Sequence, residues 1–190
     1  MALPRSPYRL AIALSLTLLA AIAALVLPTP SRAATAPCAA SDVAASNASA
    51  SSVGRAIRCL VNTQRAAHGL GSLRASRQLR IAAENHGSDM VSHRFFAHVS
   101  PLAGAITDRA RSAGYLSRAT DGYVLGEDIA WGEGELSTPA AIVTAWMNSP
   151  AHRAVILDRD FRDVGVGVVE GVPVESALAG ATFVLDVGAK

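Results

Sequence analysis

Eighteen uncharged, almost wholly apolar residues, Leu10 to Leu27, follow the basic Arg5 and Arg9 near the start of the chain. Pro28 and Pro30 break the run, and two small-residue patterns come next, Ser31-Arg32-Ala33 and Ala34-Thr35-Ala36. That order reads as a secretory signal peptide over residues 1–33, which takes no part in the fold. Cleavage after Ala33 is preferred, because a cut after Ala36 would leave Pro37 beside the scissile bond. The alternative is an uncleaved membrane anchor, for which the run is slightly short of the ~20 residues a span needs. The expected location is extracellular, with the membrane involved only if the apolar segment stays attached.

Removing the leader changes the charge balance. Of 17 Lys and Arg, three (Arg5, Arg9 and Arg32) leave with it, so 14 basic residues face 15 acidic ones. A near-neutral domain has no bulk electrostatic case for nucleic acid as a partner. About 155 residues remain, enough for one domain with a real core, and a monomer is expected. Two cysteines occur, Cys38 and Cys59. In an exported chain an even, small number suggests a disulfide; the other reading is two free thiols, with Cys59 packed as a small hydrophobe.

Residues 34–50 are Ala/Ser-rich with little periodicity and read as a flexible linker or arm, with the folded domain over 51–190. Val53, Ile57, Leu60 and Val61 then recur at helical spacing, with Ser51 or Ser52 as N-cap and Gly69 as the stop. Further helices are predicted over about 76–93, 105–113, 139–147, where Thr138 is the N-cap and Pro139 the first helical residue, and 150–156. Strand signals are fewer. YVLGEDIAWG (123–132) mixes apolar residues with turn formers, DVGVGVVE (163–170) alternates valine with glycine, and ATFVLDVG (181–188) is β-branched. Glycines alternating along a strand suit the close approach of another backbone. Helices first and strands last, with the last two strands joined by a loop containing Gly171 and Pro173, predict an α+β fold with an antiparallel sheet.

The local motifs of common enzymes are absent: no HExxH, CxxC, GxSxG, P-loop or GxGxxG occurs. Three polar residues stand at element boundaries in apolar surroundings: His98 in FFAHVSP, Glu127 in LGEDIAWG and His152 in SPAHR. Two histidines and a carboxylate are a catalytic zinc ligand set, and could equally serve as acid, base and orienter. Taken singly, a histidine near a helix end is more often a cap or a packing residue. His86 falls on the apolar stripe of the second helix and reads as a core histidine. His68 suits a helix C-terminus and His93 is expected in solvent. Phe95, Phe96, Trp131 and Trp146 are most simply core.

The segments CLVNTQRAAHGLGSL, AAENHGSDMVSHRFFAHVSP, RARSAGY, GEDIAWG, AIVTAWMNSPAHRAVIL and FRDVGVGV stand in one order. In that order the chain resembles the CAP superfamily of cysteine-rich secretory, antigen 5 and pathogenesis-related proteins, in its bacterial branch, over about residues 53–188. The resemblance implies a three-layer α-β-α sandwich and a large cleft. In eukaryotic relatives that cleft holds two histidines and two glutamates; His98, Glu127 and His152 match three of them, and Ser149 stands where the second glutamate would fall. Losing one carboxylate weakens the case for a bound metal, leaving zinc as a weak candidate on His98, Glu127 and His152. The family's G-E-N reads GED, which leaves two readings of Asp128: a second acid in the cleft with Glu127, or a turn residue facing outward, the preferred one. The family's HRxNIL reads HRAVIL, so the hydrogen bonds of that asparagine must be made otherwise.

Activities assigned across the superfamily include lipid binding, proteolysis, channel modulation and antimicrobial action. The leading expectation is a non-enzymatic exported domain that binds a lipid, a glycan fragment or a peptide in the cleft, with His98, Glu127, His152 and Asp128 as contacts. The alternatives are a hydrolase, metal-assisted or with Ser149 as nucleophile beside His152, and a structural cell-envelope domain.

Overall fold

The computed structural model describes residues 38–190; the predicted signal peptide, and residues 34–37 of the arm, lie outside them. The elements run α1 (Ala50–Ala67), β1 (Arg74–Ala75), α2 (Arg77–His93), α3 (Ile106–Ser112), β2 (Val124–Glu133), α4 (Pro139–Asn148), α5 (Pro150–Leu157), β3 (Asp163–Glu170) and β4 (Gly180–Ala189). Short 3-10 turns stand at Ala45–Asn47 and Gly134–Ser137.

Local chemistry explains most boundaries. Ser76 caps α2 by accepting from Leu79 N–H, and Thr138 caps α4 by accepting from Ala141 N–H. The cap of α1 is Ser49, not Ser51 or Ser52: its side chain accepts from Ser52 N–H and the helix begins one residue later. At the other end of α1 Gly69 takes φ +72°, the left-handed stop that glycine allows at least cost.

The sheet order is β1-β3-β4-β2. The three long strands are antiparallel, with Glu127 and Gly165 both opposite Asp186, on either side of it. The two-residue β1 adds a parallel edge to β3, too short for any periodicity to announce. Helices cover both faces, giving the α-β-α sandwich. On one side Val53, Ile57, Ile142, Val143, Trp146 and Ile156 of α1, α4 and α5 pack on Val166, Phe183, Leu185 and Val187. On the other, α2 lies almost in backbone contact with β3: a Cβ on Gly165 would sit 2.0 Å from Arg80 N, and one on Gly167 2.4 Å from Ala83 C. The Gly-Val alternation of β3 is therefore the footprint of α2.

Residues 38–49, read from the sequence as part of a flexible arm, are tied down instead. A disulfide joins Cys38 to Cys59 inside α1. Ala140 N–H donates to Ser41 O at 2.9 Å, and Ala45 N–H donates to Ser137 Oγ at 3.1 Å. Two aromatic expectations need correction. Trp146 is buried, but Phe96 is 45% exposed and Trp131 38% exposed. Phe96 lies in the loop after α2, and Trp131 lies near the end of edge strand β2, beyond the helices that bury Ile129.

Candidate functional site

Edge strand β2 carries Glu127 and Asp128 side by side, so the pleat sends them to opposite faces. Glu127 faces the α2 layer. Its Oε1 accepts from His98 Nδ1 at 2.8 Å, and its Oε2 accepts from Arg109 of α3 in a close ion pair. His86 of α2 stands at 3.9 Å from the same Oε1. Burial alone would raise the carboxyl; the His98 hydrogen bond and the Arg109 charge outweigh it and hold Glu127 below its ordinary range.

The loop that brings His98 here starts at Arg94, which ends α2 in the left-handed region at φ 52°. Two buried side chains then hold its carbonyls. His86 Nε2 donates to Ala97 O at 3.0 Å, and Arg109 Nη1 donates to His98 O at 3.0 Å and to Gly104 O at 2.8 Å. His86 is thus a core histidine, as its place on the apolar stripe implied, and burial lowers its pKa. Arg109 is a residue that sequence reasoning missed. An arginine beside an alanine on a seven-residue helix gives no sign that its guanidinium will bridge a loop and a strand.

The consequence for His98 is a fixed ring. Glu127 is ionised, so Nδ1 carries the proton and, in the neutral ring, Nε2 keeps a bare lone pair. The imidazole side chain is 55% exposed. The Glu127 hydrogen bond raises the His98 pKa above the ordinary histidine value.

Asp128 corrects the preferred outward reading. It is fully buried on the α5 side of β2, in the row where Gly126 abuts Phe161 and Val155. Neither carboxylate oxygen has a hydrogen-bond partner. Desolvation pushes its pKa up to about 8, with the His98 charge opposing and the Glu127 charge adding. Asp186, directly across from Glu127 on β4, is likewise buried with unpartnered oxygens, and burial holds its pKa well above the carboxylate range. Asp186 was also missed, although an acid within the β-branched run TFVLDVG was there to be read.

His152 lies on α5, half-buried, close enough that the His98 charge, after desolvation, lowers its pKa. It makes no hydrogen bond to His98 or Glu127, and Ser149, the N-cap of α5, makes none to His152. The helix under His152 is secured from α1. Buried Arg65 donates to Ile156 O at 2.8 Å and to Asp158 O at 2.7 Å, and its Nε to Gly71 O at 2.9 Å. Arg65 thereby ties the end of α5, where Val155 stands in place of the family's asparagine. His68 closes the end of α1, its Nδ1 2.8 Å from Gln64 O, and His93 is exposed beside Asp89.

His98, Glu127 and His152 are not arranged around a common ion position here: the His98 nitrogen that faces Glu127 is hydrogen-bonded to it directly, and His152 bonds to neither. Among the described residues no three His, Cys, Asp or Glu side chains are grouped to hold an ion.

The comparisons with known proteins agree with the architecture. The chain is 37% identical over 111 residues to "Uncharacterized protein YkwD" of Bacillus subtilis, covering 58% of this chain and 40% of that one. It is 35% identical over 109 residues to "Uncharacterized membrane protein YlbC" of the same organism, covering 57% of this chain and 29% of that one. It thus spans well under half the length of these curated relatives. Among solved structures, an extracellular protein containing a SCP domain from Bacillus anthracis matches with TM-score 0.54 and 28% identity, over 70% of this chain and 40% of that chain. An outer surface protein of Borrelia burgdorferi matches in fold with TM-score 0.56 at 17% identity, over 70% of this chain and 90% of that one. No described helix is long and apolar enough to cross a membrane. The model of the CAP, cysteine-rich secretory protein family matches residues 59–181, and the chain belongs to that family.

Proposed function

We propose that this chain is an exported CAP domain that binds an amphipathic, lipid-like ligand at the His98 loop without catalysing its turnover. The observation that carries this reading is the saturation of Glu127. Its two oxygens accept from His98 and Arg109, and these partners hold its pKa below the ordinary range, so it orients an imidazole and is a poor acceptor for a substrate proton. Hydrolysis by Ser149 would need an activating base in hydrogen-bond reach, and His152 makes no such bond.

What remains is a binding surface. His98 presents a held, half-exposed nitrogen. The same loop exposes Phe96, Val99 at 60% and Leu102 at 70%. A polar group on an imidazole, next to exposed apolar side chains, suits a ligand with a head and a hydrocarbon body more than a glycan. Export rests on the apolar leader and on the extracellular and outer-surface descriptions of the structural neighbours.

Small molecules extracted from the purified chain and from His98→Ala should be compared by mass spectrometry. A lipid-class molecule present with the wild type and lost with the variant is the expected result. Turnover of ester or peptide substrates by the wild type, abolished in His98→Ala, would replace this reading with the hydrolase. Neither ligand nor turnover would leave a structural envelope domain.

A further inference from the structure

A second feature lies at the opposite edge of the sheet from His98. β1 pairs with β3 only through Arg74 and Ala75, and Ser76 N–H closes that pairing on Val164 O at 2.8 Å. Beyond Val164 that edge of β3 has no neighbouring strand among the described residues. A groove of about 480 Å³ opens there, floored by Val164 to Val166, with α1 and α2 as its walls. That volume lies within the ~300–1,000 Å³ of small-molecule sites.

The walls carry one sign of charge. Arg55 and Arg58 project from α1, and Arg77 and Arg80 from α2. The one acid in the lining, Glu84, is already bonded to Arg80 at 2.5 Å. Arg55, Arg58 and Arg77 have no ion-pair or hydrogen-bond partner among the described residues. Setting aside the Arg80–Glu84 pair, these three guanidinium groups line the groove as a run of positive charge that attracts an anion. The first turn of α2, whose dipole is positive, opens into the same groove through Ser76 and Arg77.

We propose that this groove is an anion site for a polyvalent phosphate, held between the α1 and α2 arginines. Guanidinium forks match phosphate oxygens bidentately, and two walls of them select an anion with more than one phosphate charge over a monovalent one. The site is separate from the His98 loop and does not depend on the reading given for it.

Calorimetric titration of the full chain with inorganic tripolyphosphate tests the proposal, with cosedimentation on cardiolipin-containing and on pure phosphatidylcholine vesicles as the second arm. Arg58→Ala and Arg77→Glu are the variants. A glutamate in the first turn of α2 favours the helix dipole, so loss of binding in Arg77→Glu cannot be laid to unfolding. Tripolyphosphate should bind the wild type, weaken as salt rises from about 50 to 200 mM, and lose at least about tenfold in affinity in each variant. It should be unchanged in His98→Ala. Added retention of the wild type over Arg77→Glu on the cardiolipin vesicles alone marks a bis-phosphate lipid headgroup as the source; tripolyphosphate binding without that difference marks a soluble or polymeric phosphate. Absent tripolyphosphate binding, binding that ignores both arginine substitutions, or equal binding of a hepta-glutamate peptide would overturn the proposal.

Discussion

Replacing Asp128 with asparagine should stabilise this domain at neutral pH and above, and shift its stability relative to the wild type upward as pH rises. The acid is fully buried, neither oxygen is bonded, and its pKa stands at about 8 against an ordinary 3.8. Between those two values the folded chain keeps a proton on Asp128 that the unfolded chain has released. Stability therefore falls as pH rises from about 4 to about 8 and levels off above. Roughly four pKa units correspond to a ceiling of about 6 kcal/mol at pH 8, of which about 4 is already felt at pH 7. Asparagine has nearly the same shape and no charge to desolvate. It leaves an unpaired amide in the same place, at about 1–3 kcal/mol. The net gain at pH 8 is then about 3 kcal/mol, or roughly 10 °C in Tm for a domain of this size.

The assay is a set of thermal melts of wild type and Asp128→Asn from pH 4 to pH 8. Other groups titrate across that range. His98, with a raised pKa, contributes stability present below the ordinary histidine value and lost as pH rises through its folded one. Asp186 behaves as Asp128 does. His152, with a lowered pKa, acts in the opposite sense to His98. All three are present in both proteins, so the difference between the two melting curves reads Asp128 together with its coupling to His98. It should favour the wild type by about 1–3 kcal/mol near pH 4, where only the unpaired amide counts, and shift steadily in favour of the variant to pH 8. A difference that does not change with pH, or an asparagine variant less stable at pH 8, would refute the reasoning by showing that the buried carboxylate is compensated in solution.

Three further outcomes follow from the packing. Gly165→Ala places a methyl on the backbone of α2 and should cost about 3 kcal/mol, seen as a Tm lower by roughly 10 °C; an unchanged melt would mean that α2 does not lie against β3. Arg65→Met strips three buried or half-buried carbonyls of their donor and should cost about 3 kcal/mol, with hydrogen exchange rising first in α5, and protection of α5 equal to wild type would count against Arg65 as its anchor. Reducing the Cys38–Cys59 bond, which spans 21 residues, should cost about 3 kcal/mol in the chain-entropy model; a melt indifferent to reductant would show residues 38–49 held without it.

Much of this fold was legible because its signals are local. Serine or threonine caps, proline at the first helical position and glycine stops placed the helices to within a few residues. The Gly-Val alternation announced both β3 and its close neighbour. β1 was not legible, since two residues carry no period, and it exists only because the turn into α2 happens to lie along β3. The candidate site was legible only in part. His98 and Glu127 could be paired through a resemblance spanning six segments, whereas their 29-residue separation matches no local motif. Arg109 and Asp186 depend on how α3 and β4 are set against β2, and nothing near them in sequence encodes that register. Low-complexity composition says what residues 38–49 cannot bury by themselves; the two cysteines were the signal for the bond that ties them to α1.

The outward reading of Asp128 failed on a point that the sequence did contain. Adjacent residues on a strand point to opposite faces, and in a three-layer sandwich the middle of a strand is covered by helices on both faces. If Glu127 lies on β2 and turns into one layer, Asp128 must turn into the other. Two neighbouring acids on such a strand cannot both be placed cheaply. This fold resolves the conflict unequally. Glu127 receives an arginine and a histidine and stays ionised; Asp128 receives nothing and holds its proton to about pH 8. The ionised member fixes the His98 ring toward solvent, and the neutral member lets β2 pack against α5, the helix that carries His152. Both histidines are thereby set around one edge strand, His98 held by the ionised acid and His152 carried on the helix that packs over the neutral one.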